Sequence, residues 1–211
     1  MEKHILNIEG LKKYYNRNLA LDIPKLAFER NAVHMIMGPN GSGKSTLLEI
    51  IALLEKPSSG KIYYNNELIG KNHNRIRKEI TLVMQFPFLF NTTVFKNIAY
   101  GLNMRANSER KRRQKVMEIL ERMNLTEFGE RNARELSAGE MRKVAIARAI
   151  VLEPEILLLD EPTSELDEKN IELVERIIKS FGKTVIMVTQ SKGQAMRLGD
   201  MVFSMSEGGI E

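Results

Sequence analysis

Three stretches of the chain run almost wholly apolar: AVHMIMG at 32–38, EILLLD at 155–160 and TVIMVT at 184–189. Short apolar runs without polar alternation suit strands covered on both faces, as in a parallel sheet. The first thirty residues behave differently. HILNIEG and LALDIPKLAF alternate apolar with polar positions, with YYNRN between them, which predicts half-exposed antiparallel strands joined by a turn. After AVHMIMG comes a glycine-rich turn and the helical pattern KSTLLEIIALLE, ended by PSSG at 57–60. KIYYNNELI then reads as a strand and turn, and EITLVMQ as a strand ending at Gln85.

From about residue 86 to 150 the periodicity is mostly helical, in VFKNIAYGL, SERKRRQKVMEILERM and AGEMRKVAIARAIVL. The second of these opens at Ser108 and carries Val116, Ile119, Leu120 and Met123 as its apolar stripe. Beyond 150, EILLLD, TVIMVT and MVFSM alternate with a helix over about 168–180, with Ile171, Val174, Ile177 and Ile178 facing inward, and with a second, short helix. Such alternation favours a mainly parallel sheet with right-handed crossovers. The expected architecture is one α/β domain over 1–211. Residues 1–85 and 151–211 form a core with an antiparallel β part, and 86–150 form an inserted α-helical subdomain.

Composition narrows the chemistry. At 211 residues, 43% apolar and 28% charged, the chain has enough core to fold alone. It has no apolar run long enough to span a membrane and no signal-peptide layout at its start, so it is expected to stay in the cytoplasm. With no cysteine, disulfides and thiolate metal sites are excluded, and His4, His34 and His73 are too scattered for a zinc cluster. The net charge of +5 permits an anionic partner without choosing one. Its densest cationic run, ERKRRQK at 109–115, lacks interleaved aromatic residues to stack on bases and reads as a solvated helix face, so no nucleic-acid partner is expected.

Two motifs carry chemistry. GPNGSGKST at 38–46 matches the phosphate-binding pattern G-x-x-x-x-G-K-[ST], and it lies between a buried strand and a helix as that pattern requires. Gly38, Pro39, Asn40, Gly41, Ser42 and Gly43 would curl backbone N–H groups around phosphates at a helix N-terminus. Lys44 would reach the β- and γ-phosphates, the Ser45 hydroxyl would ligate Mg²⁺, and Thr46 closes the motif. EILLLDEP places Asp160 and Glu161 at the carboxyl end of a strand, the edge where open α/β sheets bind ligands. There Asp160 would hold the Mg²⁺ shell, and Glu161 would orient the water that attacks a γ-phosphate.

Together with LSAGE at 136–140 these motifs give the chain a clear likeness: it resembles the ATP-binding subunit of an ABC transporter, a P-loop NTPase, over nearly its whole length. The resemblance makes Gln85 the Q-loop residue, touching Mg²⁺ and the attacking water, and SELD at 164–167 the D-loop. Tyr15 or Tyr14 would stack on adenine, with Tyr15 fitting the family spacing better. Ser137, Ala138, Gly139 and Glu140 would form an anion site that caps the γ-phosphate held by a second copy. ATP would then bridge a two-fold homodimer that closes on ATP and reopens after hydrolysis. Ala138 stands where the family usually has glycine and Glu140 where it has glutamine, and Ala138 would be strained if the site needs positive φ. Phe86, Phe88, Leu89 and Phe90 suit a groove for a coupling helix of a membrane permease, or else the core of the helical insertion.

The likeness also raises a question at VIMVTQS, 185–191, because the family's usual residue at this strand tip is histidine and here it is Gln190. An amide donates a hydrogen bond but carries no charge and shuttles no proton. Slowed hydrolysis with nearly intact ATP binding is therefore expected. A short separate ATPase chain with no fused membrane region or C-terminal regulatory domain suggests an importer motor, peripheral on the inner face of the cell membrane. IALLEKPSSG and the tail from Thr189 are similar to subunits of tungstate or related oxyanion importers. The alternative is a soluble ABC ATPase serving repair, translation or cluster assembly. A P-loop kinase or switch GTPase is disfavoured by LSAGE and by the absence of an N-K-x-D motif.

Overall fold

In a computed structural model the described residues are 3–70, 73–103 and 108–211, and they divide into two compact units. The first comprises Met1–Leu82, Glu155–Glu161 and Gly182–Glu211, and the second Val83–Pro154 and Pro162–Phe181.

The first unit holds two sheets. Strands β1 (His4–Tyr15) and β2 (Asn18–Glu29) form a long antiparallel hairpin, and β4 (Ser59–Tyr64) and β5 (Glu67–Leu68) extend it in the order β2-β1-β4-β5. Ile8, Leu11, Ile23 and Phe28 are fully buried while polar neighbours face out, as the alternation predicted. The six-stranded sheet has the order β10-β9-β3-β8-β7-β6. Its centre is β3 (Val33–Met37), β7 (Ile156–Asp160) and β8 (Thr184–Thr189), with β9 (Met201–Ser206) beside β3, and these four run parallel. The edges are β10 (Gly209–Ile210) and β6 (Ile80–Val83). Every residue of β7 and β8 is buried, which explains why these strands read as unbroken apolar runs. A buried leucine or isoleucine here contributes roughly 1.5–3 kcal/mol.

Helix α1 (Lys44–Ile51) is shorter than KSTLLEIIALLE suggested. Leu53 turns to φ 60°, its N–H bonds the Ile50 carbonyl at 3.0 Å, and the Leu54 N–H reaches the Glu49 carbonyl at 2.9 Å. That double closure ends a helix whatever follows in sequence, and a leucine rather than a glycine hides it from pattern reading. Two further differences lie near β6. A short helix α2 (Asn74–Arg77) precedes it, and the strand ends at Val83, two residues before Gln85.

In the second unit α3 (Val94–Asn103) packs on α4 (Glu109–Arg122) and α5 (Ala138–Ile150), and α6 (Glu168–Lys179) completes it. Ser108 caps α4, accepting from the Lys111 N–H, and Val116, Ile119, Leu120 and Met123 are buried as expected. In α6 Val174, Ile177 and Ile178 are buried and Ile171 is half-buried. This unit takes in 162–181, which the sequence pattern grouped with the nucleotide-binding core. Helical periodicity identifies the apolar stripe of α6 but not the unit it packs with. A buried Asn97 ties the 90–93 loop to α3, donating to the Phe90 and Thr93 carbonyls at 3.0 and 3.1 Å and accepting from the Phe90 N–H at 2.8 Å.

Candidate functional site

Parallel register brings three strand ends to one edge of the six-stranded sheet. Met37 pairs with Thr189 and Asp160 with Val188, so the loops leaving β3, β7 and β8 emerge side by side. The loop after β3 carries GPNGSGKST, Glu161 follows β7, and Gln190 follows β8.

The phosphate loop is shaped by close backbone packing. A Cβ on Gly38 would lie 2.1 Å from the Met205 carbonyl oxygen. At Gly43, φ is 99° and a Cβ would lie 2.6 Å from Leu21 Cδ2 and 2.8 Å from the Ala20 carbonyl oxygen, so only glycine fits. Lys44 is buried, and its Nζ donates to the Gly38 and Pro39 carbonyls at 2.8 Å each. Burial pushes the Lys44 ammonium down from its ordinary pKa, while Glu161 and Asp160 pull it back up. Among the described residues Ser42 Oγ is buried with no hydrogen-bond partner. Ser45 is exposed and Thr46 half-buried on the first turn of α1.

Asp160 is buried at the end of β7. Glu161 next to it has φ 46°, a left-handed backbone rare for this residue type, and its N–H donates to the Val188 carbonyl at 3.1 Å. Gln190 is exposed, and its amide nitrogen donates to Glu161 Oε1 at 2.7 Å and to Asn40 Oδ1 at 2.9 Å. One amide thus joins the acid after β7 to the phosphate loop. The loop below it is firm: the Thr189 hydroxyl donates to Gln194 Oε1 at 2.9 Å, and Ser191 caps α7 (Lys192–Leu198). Among the described residues no group of three or more His, Asp or Glu is gathered as a metal cage. The donors present, a buried Asp160 and the Ser45 hydroxyl, fit a Mg²⁺ that completes its shell with phosphate oxygens and water.

Tyr14 and Tyr15 sit at the end of the β1–β2 hairpin, each 43% exposed. The Lys13 ammonium lies over the Tyr15 ring, 4.8 Å from its centroid. Lys13 was missed in the sequence, although it occupies the same inward parity as buried Leu11 and is itself buried.

In the second unit, Ser137 is the N-cap of α5, with Ala138, Gly139 and Glu140 in its first turn. The Glu140 carboxylate accepts from the Ser137 N–H at 2.8 Å and from its hydroxyl at 2.9 Å, while the Glu140 N–H donates back to Ser137 Oγ at 3.3 Å. The backbone bond from Ser137, ahead of other causes, holds the Glu140 carboxyl below the ordinary carboxylate range. Ala138 has an ordinary right-handed backbone, so the strain that positive φ would bring does not arise. Ser137 and Ala138 are exposed. In the SELD segment Glu165 has φ 65° and its carboxylate is 3.3 Å from Nη2 of buried Arg142 on α5. Gln85 lies in this unit, beyond β6. Of the aromatic stretch after it, Leu89 is buried, Phe86 and Phe88 are exposed, and Phe90 packs on Tyr100 at 4.5 Å.

A glycine-cradled phosphate loop beside an acid-tipped strand defines a P-loop ATPase, and a capped signature helix in a separate helical unit narrows the class further. The ABC transporter family matches residues 21–164, and the chain belongs to that family as an ATP-binding ATPase subunit. It is 34% identical over 209 residues to the tungstate uptake system ATP-binding protein TupC of Peptoclostridium acidaminophilum, covering 97% of this chain and 96% of that one. Among solved structures it is similar to cbiO1 from Clostridium perfringens, part of the ABC transporter complex cbiONQ. There the TM-score is 0.88 and the identity 32%, over 100% of this chain and 88% of that one. It is also similar to dimeric MJ0796, a bacterial ABC transporter cassette, with TM-score 0.91 and 32% identity over 98% and 96% of the two chains. The same cassette is known as a dimer in a post-hydrolysis state bound to ADP and Pi, with TM-score 0.88 and 32% identity over 98% and 96%.

Proposed function

We propose that this ATPase drives an importer for tungstate or a related oxyanion, working as an ATP-bridged homodimer against a separate membrane permease. The observation that carries the motor reading is the meeting of the phosphate loop, Glu161 and Gln190 at one sheet edge. The oxyanion is suggested by the TupC likeness.

In this reading the loop from Gly38 to Thr46 cradles the phosphates, and the Lys44 ammonium leaves its two carbonyls to meet the β- and γ-phosphates. Asp160 and Ser45 would hold Mg²⁺, which would neutralise charge on the triphosphate. Glu161 orients and polarises the attacking water, with Gln190 keeping its carboxylate aimed. The turn from Ser137 to Glu140, exposed at Ser137 and Ala138, offers the N–H groups of Ala138 and Gly139 to the γ-phosphate of a second copy. Exposed Phe86 and Phe88 offer an apolar surface to a coupling helix of the permease. The subunit would attach to the inner face of the membrane through that permease.

Glu161→Gln tests the engine. It should keep ATP affinity, reduce turnover about 10²–10⁴-fold, and bring the chain to a dimer with ATP·Mg²⁺ but not with ADP in light scattering. A chain that stays monomeric with ATP·Mg²⁺, despite tight binding, refutes the bridged pair. Co-expression with candidate permeases, followed by vanadate-free uptake of tungstate and of sulfate, tests the cargo.

A further inference from the structure

The Lys13 side chain has no part in the roles assigned above, yet few cations in the chain are held so closely. It is 8% exposed, its Nζ donates to Glu55 Oε1 at 2.6 Å and to the Lys56 carbonyl at 2.9 Å, and it lies 4.8 Å from the centroid of the Tyr15 ring. Tyr15 remains 43% exposed with the ammonium over its ring. Tyr14, equally exposed, is tied through its backbone N–H to Ser58 Oγ at 2.9 Å.

The ladder puts this braced ring near the phosphate loop. Lys13 pairs with Leu21, and Leu21 is the residue whose Cδ2 leaves no room for a side chain on Gly43. Tyr15 pairs with Asn18, three residues from Leu21 along β2, so about 10 Å separates the ring's rung from the one on which the loop rests. That distance is of the order of the sugar-phosphate arm joining a purine to its terminal phosphates. A cation on one face of an aromatic ring draws π density toward itself and leaves the other face better able to stack on an electron-rich ring.

We propose that Lys13, pinned by Glu55, is a positioning residue that fixes and polarises the Tyr15 ring as the stacking platform for the purine base of the bound nucleotide. This rests on the ATP-site reading and adds to it a base-directed device outside the phosphate machinery. Its action is confined to the base: Lys13 touches Tyr15, not the phosphate loop's own donors.

The test uses calorimetric titration of ATP and of inorganic tripolyphosphate, which has phosphates but no base, alongside steady-state ATPase kinetics. Tyr15→Ala should weaken ATP binding about 5- to 150-fold, the equivalent of roughly 1–3 kcal/mol of stacking, and leave tripolyphosphate unchanged. Lys13→Met should weaken ATP about 3- to 30-fold, raise KM without changing kcat, and likewise leave tripolyphosphate unchanged. Lys13→Arg should restore ATP affinity, since it keeps both the charge over the ring and the pair with Glu55. Combining Lys13→Met with Tyr15→Ala should cost no more than Tyr15→Ala alone. Equal losses for ATP and tripolyphosphate, or additive losses in the double variant, would overturn the proposal. Should Lys13→Met not fold, Glu55→Gln carries the same test, with a smaller loss for ATP expected and none for tripolyphosphate. A parent chain that binds neither ligand would instead sink the ATP-site reading itself.

Discussion

Replacing Gln190 separates alignment of Glu161, the proposed catalytic carboxylate, from nucleotide binding. Its Nε2 has two hydrogens, one given to Glu161 Oε1 at 2.7 Å and the other to Asn40 Oδ1 at 2.9 Å. A hydrogen bond to a charged acceptor contributes about 1.5–3 kcal/mol and one to a neutral acceptor about 0.5–1.5 kcal/mol. Gln190 is exposed, so the lower ends apply, and together they come to about 2 kcal/mol of alignment. Gln190→Ala should therefore lower kcat roughly 30-fold and leave ATP affinity within a few-fold. Gln190→His restores the family's usual side chain. As an imidazolium beside Glu161 it adds a formal charge to a bond that the amide makes only as a neutral donor, so kcat should rise above that of the parent chain. The carboxylate raises the pKa of that imidazole, so the gain is full at low pH and fades as pH rises through the raised value. The parent chain, with a neutral amide at this position, lacks that limb. Steady-state ATPase assays between pH 6 and about 9 decide the matter. Unchanged turnover for Gln190→His, or a loss of ATP binding rather than of kcat for Gln190→Ala, refutes the reasoning.

Three further outcomes are expected. Glu140 has its carboxyl pKa depressed by the Ser137 bonds, so its contribution is present above the ordinary carboxylate value of about 4.5 and is lost as pH falls through the depressed one. Urea unfolding of Glu140→Gln should lack that part of the acid limb and show a cost of roughly 0.3–1 kcal/mol near neutrality. His34 is fully buried and donates from Nε2 to the Glu29 carbonyl at 3.0 Å, and burial lowers its pKa. Its unfolded form takes up a proton first, so stability should decline as pH drops below about 6.5, and a His34→Gln chain should show a flatter decline in the same urea series. Leu158→Ala in fully buried β7 should cost about 2–5 kcal/mol in urea unfolding, and a loss under 1 kcal/mol would mean the sheet centre is not packed as described.

The fold was legible where one physical cause acts alone. Burial on both faces makes the ILLL of β7 and the VIMV of β8 unbroken apolar runs, so strand type, parallel sheet and sheet edge could all be read from them. Legibility failed where a backbone closure or a distant contact decides. Leu53 ends α1 through a left-handed turn that its residue type does not advertise. The phosphate loop stood out because a positive φ, as at Gly43, is a local backbone demand that glycine meets without strain. Lys13 was not, because its value lies in partners 42 residues away on the far side of α1. Gln190 combines both cases. As a departure from histidine it reads as a lost charge, which is a statement about one residue. Its partners, 29 and 150 residues away, reverse part of that reading. A neutral imidazole has a single N–H and must choose between Asn40 and Glu161, whereas a primary amide holds both at once at any pH. The substitution thus trades strength for constancy: a weaker hold on Glu161, but one that protons in the surrounding solution cannot switch off.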